Sequence, residues 1–130
     1  MINENLPDTK NLILKLENSW LNIWFNRPEK KNALSEDLIN DIKLTLSSVE
    51  RNSTIRGIVF RGKGGIFCAG ADLKNIKEIT ESTNKSHTLA LKMSKQIGSL
   101  FEQISKTPQI TVSIVEGAAM AGAFGIACAS

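Results

Sequence analysis

Ile55-Arg56-Gly57-Ile58-Val59-Phe60-Arg61-Gly62-Lys63-Gly64-Gly65-Ile66-Phe67-Cys68-Ala69-Gly70-Ala71-Asp72 runs from a short apolar stretch straight into a glycine-rich loop. Ile55 to Phe60 is a short, nearly continuous apolar run broken by Gly57, which predicts a strand covered on both faces. A glycine loop after a strand raises phosphate binding, and the spacing rejects it. Gly62-Lys63 is followed by Gly64 where a phosphate loop needs Ser or Thr, and the third residue after Gly64 is Phe67 where a dinucleotide fingerprint needs glycine.

Outward from this segment the pattern alternates. Upstream, Ser35 is a suitable N-cap, Glu36 and Asp37 put negative charge in a first helical turn, and Leu38, Ile42, Leu46 and Val49 fall on one helical face. Before them, Leu12 to Leu16 and Trp20 to Phe25 read as a hairpin turning at Glu17-Asn18-Ser19, and Pro28 ends the second strand. Downstream, Leu89, Met93, Ile97, Leu100 and Ile104 predict a helix over about 87–105, stopped at Thr107-Pro108. Ile110 to Val115 alternates with Thr111 and Ser113 as a strand. Gly117 to Gly125 is a small-residue turn opening a helix that carries on, without a cap, to Ser130. Strands alternating with helices imply an α/β fold. A tail over 1–10 and one domain over 11–130 are expected.

Composition narrows the function. The 130 residues are 42% hydrophobic and 22% charged, with a net charge of +3. These are globular proportions. The lysines are scattered, with one pair at Lys30-Lys31, and tyrosine is absent, so no nucleic-acid partner is expected. No apolar run is long enough for a membrane span, and Met1 to Asn5 lacks a signal-peptide pattern. One histidine, with Cys68 and Cys128, makes neither a metal set nor a disulfide framework. A reduced, cytoplasmic protein is expected.

Two places let backbone approach a ligand: Ala69-Gly70-Ala71 after a strand, and Ala121-Gly122-Ala123 at a helix start. Small side chains leave amide N–H groups reachable, and a helix start carries unpaired donors. Two such donors could stabilise an oxyanion; equally, the small residues could serve tight packing alone.

In order along the chain, Asn26-Arg27-Pro28-Glu29-Lys30-Lys31-Asn32-Ala33-Leu34, Phe67 to Leu73 and Glu116 to Ala127 resemble the three signature segments of the crotonase superfamily, the enoyl-CoA hydratases and isomerases. The resemblance implies a crotonase-like (ClpP/crotonase) spiral of strand-strand-helix units, of which this chain is the N-terminal part. It implies that the carbonyl of an acyl-CoA thioester sits between the N–H groups of Ala71 and Gly122. Ala69, Ala71, Asp72, Leu73 and Lys74 would line the acyl-CoA site, with Lys30 and Lys31 along the CoA path and Asp72 fixing the loop. No cofactor or metal is implied, because coenzyme A is part of the substrate. A homotrimer or dimer of trimers is implied for the full-length protein.

Hydratases of this superfamily typically use two glutamates. The first would stand at Gly125, so it is absent, and the second would follow Ser130. Glu116 is expected to anchor a strand end, His87 to begin an exposed helix and Cys68 to pack. The surroundings of Gly125 most resemble hydratases of branched glutaconyl-CoA. An isomerase, dehalogenase or C–C hydrolase, a non-catalytic acyl-CoA-binding or assembly module, and an inactive fragment are the alternatives.

Overall fold

The computed structural model describes residues 6–74, 76–77 and 86–130. Four strands form one sheet in the order β1-β2-β3-β4: β1 (Leu12–Glu17), β2 (Trp20–Phe25), β3 (Gly57–Gly62) and β4 (Ile110–Ser113). β1 and β2 pair antiparallel with Glu17 opposite Trp20. The two turn residues, Asn18 and Ser19, have φ of 52° and 69°. Positive φ at both positions gives a turn whose twist matches that of the strands it joins. β2–β3 and β3–β4 are parallel, and each needs a crossover. Helix α1 (Glu36–Val49) supplies the first and α2 (Ser86–Lys106) the second, while α3 (Gly122–Ala129) follows β4.

The core lies on one face of the sheet. Leu12, Leu21, Ile23, Phe25, Ile58 and Phe60 meet Leu38, Ile39, Ile42, Leu46 and Val49 of α1, Leu100 and Ile104 of α2, and Ala123 and Ile126 of α3. Period-two side chains on the strands and a 3.6-period stripe on α1 fill the same space. Truncating a residue such as Ile42 to alanine there costs about 2–5 kcal/mol. Ser35 caps α1 as its sequence implies, its side chain accepting from the Leu38 N–H. Leu6 packs against the core edge, and residues 1–5 of the expected tail lie outside the described residues.

Four expectations change. β3 starts at Gly57, opposite Trp20 at the start of β2, rather than at Ile55, which is buried ahead of the ladder. Among the described residues β3 is covered by helices on one face. Among the described residues its second face is shielded by neighbouring side chains, with the Arg61 guanidinium 3.9 Å and the Lys63 ammonium 4.0 Å from the Trp24 ring centre. β4 ends at Ser113, and Ile110 and Val112 project to that second face while Thr111 and Ser113 turn toward the helices. The end of α3 is capped: the Ser130 N–H donates to Ile126 O, and its hydroxyl reaches Ala127 O and Ser113 Oγ.

Candidate active site

Three segments far apart in sequence meet beyond the C-terminal ends of the parallel strands β2, β3 and β4. The first, 27–34, leaves β2 through a single 3-10 turn at Pro28–Lys30, and its fully buried Asn32 is the hub. Asn32 Oδ1 accepts the Arg27 N–H at 2.8 Å, and its Nδ2 donates to Lys63 O and Ile66 O at 2.9 and 2.8 Å. The second segment, 67–73, is sewn to the first by Ala69 N–H to Lys31 O, Leu34 N–H to Gly70 O and Asp72 N–H to Leu34 O. The third, 116–122, is sewn to the second by Phe67 N–H to Glu116 O, Cys68 N–H to Ala118 O and Met120 N–H to Cys68 O. Glu116 thus anchors through its backbone.

The bridge between Leu34 and Ala71 is parallel and uses the Gly70 carbonyl and the Asp72 N–H. The Ala71 N–H therefore points away from Leu34. Among the described residues it has no backbone acceptor. Gly70 makes the approach possible: its φ is 98°, and a Cβ there would lie 3.0 Å from Met120 O.

α3 begins at Gly122 with no side-chain cap. The Ala123 N–H donates to Met120 O and the Gly125 N–H to Ala121 O. The Gly122 N–H has no backbone acceptor among the described residues, which is the normal condition of a first-turn donor. A Cβ at Gly122 would lie 2.9 Å from Leu34 Cδ1. Ala71 and Gly122 thus both lie against Leu34. Ala121, which the sequence does not flag, has φ 49° and ψ −115°, outside the regions comfortable for an L-residue.

The charged residues divide. Arg27 is the residue that sequence reasoning missed: its Nη2 donates to Asp72 Oδ2 at 3.0 Å and its Nη1 to Ala33 O at 2.8 Å, with both ion-pair side chains largely buried. Asp72 Oδ1 also accepts the Lys74 N–H. Lys30, Lys31, Asp72, Leu73 and Lys74 line one cavity of about 370 Å³ together with Arg27, Glu29 and Ala33. The two lysines of the pair are exposed, as are Leu73 and Lys74. Ala69, Ala71 and Gly122 do not line that cavity.

Burial pushes the Cys68 thiol up to about 11, so at neutral pH it is a packed thiol rather than a nucleophile. His87 is exposed on α2. Among the described residues no group of three His, Cys, Asp or Glu side chains could hold a metal, and no helix is long and apolar enough to cross a membrane.

The family model for enoyl-CoA hydratase/isomerase matches residues 15–130. The chain is similar to an enoyl-CoA hydratase/isomerase from Marinobacter aquaeolei, with a TM-score of 0.84 and 33% identity over 92% of this chain and 46% of that one. It is similar to Pseudomonas aeruginosa AtuE, with a TM-score of 0.83 and 34% identity over 93% of this chain and 46% of that one. It is 31% identical over 108 residues to the mitochondrial enoyl-CoA hydratase domain-containing protein 2 of Homo sapiens, covering 82% of this chain and 35% of that protein. The chain therefore spans between about a third and a half of the length of these relatives. The α/β spiral expected from the sequence is the fold that these structures share.

Proposed function

Because the chain belongs to the enoyl-CoA hydratase/isomerase family, we propose that it carries the carbonyl-binding half of an acyl-CoA enzyme, with the N–H groups of Ala71 and Gly122 receiving the thioester oxygen. The observation behind this is the backbone beyond the C-terminal ends of β2, β3 and β4. The Leu34 bridge turns the Ala71 N–H outward, and the uncapped start of α3 presents the Gly122 N–H beside the same leucine.

The chemistry follows from charge. Adding water to an α,β-unsaturated thioester, or moving a proton within one, places negative charge on the carbonyl oxygen as an enolate forms. Donors fixed in advance stabilise that charge more than the neutral ground state, so they lower the barrier. The three lysines of the 370 Å³ cavity, Lys30, Lys31 and Lys74, are suited to the anionic groups of coenzyme A. Ala69 and Leu73 would flank the acyl end, and Asp72 would hold the loop. No further cofactor is required. The glycine at 125 favours a hydratase of branched glutaconyl-CoA, or an isomerase, over a hydratase that takes its first acid from this helix. A cytoplasmic homotrimer or dimer of trimers is the assembly that goes with this reading.

Ala71→Pro in the full-length protein tests it, because proline removes the N–H. Turnover of an enoyl-CoA should fall by about 10²–10³-fold while the melting temperature confirms that the variant folds. Unchanged kinetics would sink the assigned role. Acyl-CoA binding without any turnover in the wild-type protein would point instead to a binding module.

A further inference from the structure

We propose that Phe101 is a specificity-determining residue of this site, its ring occupying the space that a side chain at position 125 would need. The inference rests on the reading of Gly122 as a carbonyl-binding residue and goes beyond it. A Cβ built at Gly125 would lie 2.2 Å from Phe101 Cζ, 2.7 Å from Cε2 and 2.8 Å from Cε1. The ring edge is therefore seated on the backbone of α3. No side chain fits at 125 while the ring stays there, and a carboxylate would in addition be desolvated against an aromatic edge.

The place matters because Gly125 follows Gly122 by three residues, about 4.5 Å further along the helix axis. Ile97 stands one turn before Phe101 on α2, and a Cβ at Gly122 would lie 3.9 Å from its Cγ2. Ile97 and Phe101 thus run beside Gly122 and Gly125 as a two-residue apolar wall. Both are only partly buried while packing on the core, so part of each surface faces outward. An acyl chain whose carbonyl is held at Gly122 meets this wall next. The ring then has two effects. It bars position 125 from supplying a proton donor, so the acid of the reaction stands elsewhere, and it limits the length and bulk of the acyl chain by shape.

The experiment has two arms, both on the full-length protein. In the first, affinities for butyryl-CoA and decanoyl-CoA are measured by calorimetry for the wild type, Phe101→Ala and Phe101→Leu. Removing the ring should shift the ratio of the two affinities toward the longer chain by about tenfold, with the leucine variant between, as one or two methylene-sized changes in an apolar pocket do. A ratio unchanged in both variants overturns the proposal and leaves the ring a packing element. The second arm needs no ligand. Gly125→Ala should lower the melting temperature in the wild-type background and cost much less when Phe101 is alanine or leucine. Additive losses overturn the steric half. A wild type that binds neither thioester refutes the parent reading, and the melting cycle still reports on the Phe101–Gly125 pair.

Discussion

Ala121 is the residue where the geometry is most expensive. With φ 49° and ψ −115° it occupies backbone space that L-residues avoid, at a cost of about 1–3 kcal/mol. Its ψ orients the peptide joining Ala121 to Gly122, so the strain and the direction of the Gly122 N–H are one feature. Nothing in the sequence marks this: Ala121 reads as one small residue among several, and only backbone angles separate a strained alanine from a relaxed one. Ala121→Gly should raise stability by about 1 kcal/mol, the relief of strain being offset in part by glycine's larger loss of chain freedom. It should also lower kcat, because the peptide then turns more freely. Thermal melts beside steady-state kinetics check both halves, and a variant that gains stability with full activity would show that the strain has no part in aiming the donor.

At the scale of elements, helices were more legible than strands. The stripe on α1 and the cap at Ser35 follow directly from residue spacing. In α2 the same periodicity held, yet only Leu100 and Ile104 of its five-residue stripe are fully buried. β1 and β2 stand where the pattern puts them, while β3 starts two residues later and β4 ends two residues earlier, and period two fixes alternation without fixing which face is inside. β4 shows this, with Ile110 and Val112 on the face away from the helices. What also escapes the one-dimensional pattern is the contact between α1 and α2. Glu36 accepts from Gln96 Nε2 at 3.2 Å and pairs with Lys92 at 3.2 Å. The hydrogen bond from Gln96, then the bond and charge of Lys92, hold the Glu36 carboxyl below its ordinary value of 4.5. A lowered native value means that the carboxylate stabilises the fold above the ordinary value and stops doing so as pH falls through the lowered one. The pair is solvent-screened, so the contribution is only about 0.3–0.5 kcal/mol. Comparing wild type with Glu36→Gln by urea denaturation should give a small gap at neutral pH that closes in acid; a gap independent of pH would contradict the assignment.

For the whole molecule, the candidate site is a junction, and its legibility was uneven for a physical reason. The backbone-approach segments at Ala71 and Gly122 announce themselves by a lack of side chain. The clasp that holds the segments together does not, because Arg27 and Asp72 are 45 residues apart and no periodicity links them. That clasp ties 27–34 to 67–73, while Asn32 ties the first of these to the loop at Lys63–Ile66. On the proposed reading Arg27 is thus a positioning residue: it holds Asp72, the neighbour of Ala71, through an ion pair. Breaking the clasp from one side removes a largely buried, charge-assisted hydrogen bond, which costs about 1.5–3 kcal/mol. Asp72→Asn and Arg27→Met should each lower the unfolding free energy by about that amount and, on the proposed reading of the Ala71 N–H as a transition-state donor, lower kcat more than they raise KM. Replacing both together with apolar residues, Arg27→Met with Asp72→Leu, removes both charges of the clasp at once. The double variant should therefore recover most of the lost stability. It should not recover kcat, because the loop is no longer held in register. Denaturant titrations and steady-state kinetics on the three variants separate the two outcomes: a double variant that regains activity along with stability would reduce the clasp to a contribution to folding alone.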